Sequence, residues 1–122
     1  MTREIKFRAW GKYDKKMVVV KANDFQSIDG RLFVHDAELM QFTGLKDRNG
    51  KEIYEGDIVA RTLGSELWSN EEVFWSNELA SWRACEVGKG RVHRMDLHAE
   101  SESGGYQYEV IGNIYENPEL LK

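Results

Sequence analysis

Three tight-turn signals, Asp29-Gly30, Asn49-Gly50 and Glu55-Gly56-Asp57, punctuate a chain whose apolar residues alternate with polar ones instead of recurring every third or fourth position. Asp-Gly and Asn-Gly pairs favour two-residue hairpin turns because both central positions must tolerate positive φ. Alternation places side chains on opposite faces of an extended strand. Together these features restrict the chain to short antiparallel strands joined by tight reversals, and they predict a mostly β domain built as a small barrel or folded sheet.

The strands can be placed from the pattern. Residues 4–10 alternate, with Ile5, Phe7 and Ala9 on one face and Lys6, Arg8 and Trp10 on the other. The turn GKYDKK leads to the β-branched run MVVVK, and FQSI and RLFV flank Asp29-Gly30. Residues 37–43 (AELMQFT) suit a strand or one helical turn leading into a strand. LKDR and KEIY flank Asn49-Gly50, and Gly56 breaks the chain before the short strand Asp57-Ile58-Val59. EEVFW and ASWRACEV flank a turn at SNEL. RVHRMDLH and YQYEVIGNIY are separated by the polar connection SESGG. In ENPELLK, Asn117 is placed to cap and Pro118 to open a single closing helical turn, where no N–H is needed.

A chain of 122 residues is long enough to bury a core without staples and suits one domain over residues 1–122. The one internal boundary the pattern offers is near residue 43, giving subdomains 1–43 and 44–122. The single cysteine, Cys85, allows no disulfide within a monomer and no cysteine-based zinc site. No secretory signal and no membrane-spanning run is visible, so a reducing cytoplasm is the expected setting. The net charge of −4 argues against general attraction to nucleic acid. Its distribution is uneven: residues 1–21 hold seven basic and two acidic side chains, whereas residues 61–122 hold six and eleven.

Three blocks, REIKFRAW at the start, MQFTGLKDRNGKEIYEGDIV in the middle and EVIGNIYENPELL at the end, resemble the YopX family of phage and prophage proteins. The resemblance implies a phage or prophage gene, a bacterial host cytoplasm and a strongly bent sheet. It also implies an SH3-like barrel in the C-terminal half, and self-association. It brings no established biochemical activity. Gly11 departs from the family pattern, which continues FRAW with an acidic residue, and residues 61–105 lie outside the three blocks and show no recognisable family pattern.

Each candidate site has a structural alternative. Lys6, Arg8 and Trp10, with Lys12, Lys15 and Lys16 in the adjoining turn, combine charge that tracks phosphates with a ring that stacks a base, as single-stranded nucleic acid binding requires. The same residues also keep an edge strand soluble while Trp10 packs under a loop. Trp68, Trp75 and Trp82, with Phe74, concentrate in the unmatched region, where exposed tryptophan would mark an interface and buried tryptophan a core. Glu55 and Asp57 bracket Gly56 as paired carboxylates suited to acid–base work. Asp57 can instead accept local backbone N–H bonds and fix the turn. His93 and His98 point to opposite faces of a strand, and Arg94 beside Asp96 repels a cation, so no metal site is expected. Cys85 reads as a small hydrophobe. No nucleophile elbow, phosphate loop or dinucleotide fingerprint is present, and no cofactor is expected. The expectation is a self-associating interaction module that binds a host or phage protein. Nucleic-acid binding through the N-terminal strand is the alternative, and an enzyme using Glu55 and Asp57 is a third.

Overall fold

The computed structural model describes residues 4–21, 25–28, 31–34, 37–86, 91–94 and 106–121. The fold is mostly β, and all its strand pairings are antiparallel. One sheet has four strands in the order β2-β1-β5-β6, where β1 is Phe7–Gly11, β2 Met17–Val20, β5 Ala37–Lys46 and β6 Glu52–Tyr54. A second has five in the order β10-β9-β8-β7-β11. Here β7 is Asp57–Leu63, β8 Glu66–Ser76, β9 Ser81–Glu86, β10 Arg91–Arg94 and β11 Tyr106–Asn113. The strands β3 (Phe25–Ile28) and β4 (Arg31–Val34) form a hairpin of their own. Its register ends with Ile28 opposite Arg31. The intervening Asp29-Gly30 lies outside the described residues, as does the SESGG connection. The five C-terminal strands, where the SH3-like barrel is expected, pair in the order β10-β9-β8-β7-β11 among the described residues, an order that neither establishes nor excludes a barrel.

The ambiguous residues 37–43 belong to β5, a ten-residue strand that pairs with both β1 and β6. Pairing on two sides outweighs the helix preference of Ala, Glu, Leu and Met. The short strand expected at Asp57 runs instead to Leu63. It ends in a second tight reversal at Gly64-Ser65, where Gly64 takes φ 62° and Leu63 faces Glu66.

Ile53, Val59, Val73, Ala84 and Tyr108 form the core, flanked by Leu45, Trp82 and Val110. These residues come from both sheets, so the core lies where β6 of the first sheet meets the inner face of the second. Each fully buried aliphatic side chain there contributes about 1.5–3 kcal/mol. The C-terminal 3-10 helix, Pro118–Leu121, docks on β8 through the Asn70 amide, which donates to the Leu120 carbonyl at 3.0 Å. Asn113 caps the preceding turn by accepting from the Tyr115 and Glu116 N–H groups, at 3.0 and 2.9 Å. Gly112 admits no side chain, because a Cβ there would lie 2.5 Å from Asn117 Oδ1.

Candidate functional site at the junction of the two sheets

The connection from β5 to β7 joins the sheets, and two carboxylates organise it. Asp47 is buried, and its Oδ1 accepts the N–H groups of Asn49 and Lys51 at 2.8 and 2.9 Å. Its Oδ2 accepts the Val110 N–H of β11 at 2.9 Å. The Arg48 N–H adds a bond to the Tyr108 carbonyl, so the turn is laced to an edge of the other sheet. The reversal is wider than a two-residue hairpin: Gly50, at φ 81°, donates to the Asp47 carbonyl, and the Asp47 N–H donates to Lys51. Nothing but the short polar spacing Asp47-Arg48-Asn49-Gly50, typical of an Asx turn, signals this role in the sequence.

Asp57 is the second carboxylate, only 1% exposed. Its Oδ2 accepts the Tyr54 N–H at 2.8 Å, across the Glu55-Gly56 turn, and its Oδ1 takes an Arg8 guanidinium N–H at 2.6 Å. Gly56 needs its φ of 84°, donates to Val73 and accepts from Ile114, and its α-carbon faces the Met40 sulfur. Burial pushes Asp57 above the usual carboxylate range, and Arg8 and the Tyr54 N–H work in the opposite direction. Arg8 also lies over the Tyr54 ring, 4.8 Å from its centroid.

Arg8 of the N-terminal face therefore points into the protein, and its neighbours hold partners nearer the surface. Lys6 pairs with Glu4 and Glu52 and sits 4.9 Å above the Phe42 ring. Trp10 stacks on Tyr115 with ring centroids 5.8 Å apart. Lys12 pairs with Glu38 at 3.1 Å. Lys6 and Lys12 thus pair within the first sheet, with Glu52 of β6 and Glu38 of β5, while Arg8 reaches Asp57 of β7 and Trp10 reaches Tyr115 beyond β11. Lys15 and Lys16 remain exposed.

Glu55 does not join Asp57 as an open carboxylate pair. Its Oε1 accepts the Gln41 N–H at 3.3 Å. Glu72 is half-buried and held above its ordinary value, first by burial and then by the charge of Glu55. The Tyr115 hydroxyl is raised by burial and by Glu38, Glu55 and Glu72. Cys85, opposite Glu72 in the register, is half-buried, and burial together with nearby Glu71, Glu72 and Glu86 raises its thiol. That environment disfavours a thiolate. Among the described residues no group of three His, Cys, Asp or Glu side chains could hold a metal ion. The His93 side chain, Asp96 and His98 lie outside the described residues. Among the described residues no helix is long and apolar enough to cross a membrane.

The aromatic region splits. Trp75 faces Trp82 across the β8–β9 pair, with centroids 5.2 Å apart and rings 72° apart. Trp82 packs against the core, and its indole N–H is buried without an acceptor. Trp75 is 41% exposed, and Leu79, in the turn between β8 and β9, is 54% exposed. Trp68 occupies the bulge of β8, where Arg61 pairs with Ser69 and Thr62 with Leu67; its side chain lies outside the described set. One buried group went unread in the sequence. Arg61 makes a bidentate ion pair with Glu71, at 2.7 and 3.1 Å, and lies 4.8 Å from the Tyr108 ring centroid; Ser69 also donates to Glu71. The two residues are diagonal neighbours on β7 and β8, so only the register reveals them.

The family model described as YopX protein matches residues 6–122, and so includes both sheets and the laced connection between them. The chain belongs to the YopX family. Two solved structures share the YopX fold along nearly the whole chain. Protein EF1440 from Enterococcus faecalis is 27% identical, with a TM-score of 0.62, over 99% of this chain and 100% of that one. Protein yopX from Bacillus subtilis is 25% identical, with a TM-score of 0.58, over 96% of this chain and 98% of that one. No curated protein matches this YopX-family chain.

Proposed function

We propose that this YopX-family chain is a phage- or prophage-encoded, self-associating interaction module that acts in the bacterial host cytoplasm by binding a host or phage protein. The observation that carries this reading is the β8–β9 tip. There Trp75 and Leu79 present large apolar surface beside a tryptophan anchored in the core. A rigid aromatic held by a second ring is the kind of anchor that concentrates binding energy. A second copy is the first partner assigned to it, because a two-fold contact needs only one patch that complements itself. Multi-angle light scattering across a dilution series tests this. A defined oligomer that Trp75→Ser reduces to monomer supports the reading, and a monomer at every concentration overturns it.

Binding of single-stranded nucleic acid by Lys6, Arg8, Trp10 and Lys12 would require those groups to leave their carboxylate and ring partners. Fluorescence anisotropy at low salt, where phosphate contacts are strongest, tests that alternative.

A further inference from the structure

We propose that the outer edge of β2 is a docking site for an extended peptide with acidic flanks, which adds as a further antiparallel strand beside Met17–Val20. This surface is separate from the Trp75 tip and does not depend on it.

Three observations place it. The first is position: β2 is the outermost strand of the four-stranded sheet. Its backbone alternation follows from the Gly11 N–H, which donates to the Lys16 carbonyl at 2.9 Å, with Trp10 opposite Met17 and Ala9 opposite Val18. In an antiparallel pair, hydrogen-bonded positions recur every second residue. Residues 16, 18 and 20 therefore turn their backbone groups toward β1, and Met17 and Val19 turn theirs outward.

The second is chemistry. Edge strands are usually protected by proline, bulges or charges within the strand. β2 has none of these in MVVV, and Val18 and Val19, on opposite faces, are 51% and 65% exposed. Addition of a strand to such an edge draws affinity from main-chain bonds and selectivity from side chains on alternate faces.

The third is charge. Lys15 and Lys16 are exposed at one end of the strand and Lys21 at the other. Among the described residues Lys15 and Lys16 carry no ion pair. A second copy aligned so that outward residues face each other, Met17 against Val19, would set Lys15 opposite Lys21 at both ends. Like charges directly opposite are destabilising. A strand with glutamate or aspartate at its ends meets the same lysines favourably.

The test uses the full chain and two labelled synthetic peptides with a Val-Thr-Val-Thr centre, one flanked by glutamates and the other by lysines, read by fluorescence anisotropy. The acid-flanked peptide is expected to bind at least about tenfold more tightly, with the preference shrinking as salt shortens the reach of the flanking charges. Val19→Pro removes an outward N–H but no bond to β1, so it should abolish binding while circular dichroism stays unchanged. Lys15→Glu with Lys16→Glu, which leaves the strand itself intact, should reverse the peptide preference. Failure of both peptides to bind, equal binding of the two, or retained binding in Val19→Pro would overturn the proposal. So would a wild-type dimer that Val19→Pro dissolves, since the edge would then belong to a second copy.

Discussion

Replacing Asp47 with alanine removes a carboxylate that accepts three backbone N–H groups, two in its own turn and one from β11. Hydrogen bonds to a charged group contribute about 1.5–3 kcal/mol each. The Asn49 and Lys51 N–H groups lie in an exposed turn and can bond water instead. The Val110 N–H sits within a strand, beside the core, and has a poorer substitute. The net cost is therefore placed at about 3 kcal/mol, a large share of a total stability of roughly 5–15 kcal/mol. Urea unfolding followed by tryptophan fluorescence reads this directly. At a slope of about 1.5 kcal/mol/M the midpoint should fall by about 2 M. Asp47→Asn gives the sharper comparison, because both carboxylate oxygens are acceptors and an amide has only one. Its NH2 must then face either the turn N–H groups or Val110, donor against donor, so asparagine should recover less than half of the loss. If Asp47→Asn unfolds within about 0.5 kcal/mol of the wild type, the ordinary spread for surface substitutions, the two-sided clamp is refuted.

Asp57→Ala leaves the Arg8 guanidinium half-buried without its partner, and should cost about 3–5 kcal/mol in urea unfolding. Gly56→Ala imposes a left-handed conformation on a residue with a Cβ, 3.2 Å from the Met40 sulfur, and should cost at least about 1–2 kcal/mol by the same assay. Glu72 is raised above its ordinary value of 4.5, so the folded state holds a proton that the unfolded state releases. Its contribution is therefore favourable below 4.5 and is lost as pH rises through the folded value; Glu72→Gln should flatten the stability-versus-pH curve over that window. Lys6 is raised by Glu52, so its contribution is present below 10.5 and disappears at more alkaline pH; Lys6→Met should remove that alkaline limb.

The strands were legible where period and turn chemistry agreed. Alternation in residues 4–10 puts Lys6, Arg8 and Trp10 on one side of β1, and the structure keeps them together. Alternation cannot say what lies opposite, and the partners Glu52, Asp57 and Tyr115 are remote in sequence. A basic stripe in the sequence thus proves to be half of an ion-paired face, buried at Arg8 and Asp57 and partly exposed at Lys6 and Glu52. Residues 37–43 were ambiguous because their helix propensity competes with strand pairing that only tertiary contacts supply. The Gly64-Ser65 reversal went unread because Arg61 and Thr62 interrupt the apolar pattern of β7. Arg61 is nevertheless buried, since Glu71 neutralises it. Trp75 and Trp82 flank their turn in the sequence, but which of the two is exposed depends on the core that Trp82 joins.

Hydrogen exchange on the wild-type chain, compared between dilute and concentrated solution, tests the central claim most directly. The account predicts that concentration slows exchange at the β8–β9 tip, from Trp75 through Trp82, and that Trp75→Ser removes this slowing. Exchange that does not change with concentration, or protection that appears elsewhere and leaves the tip unaffected, would contradict it.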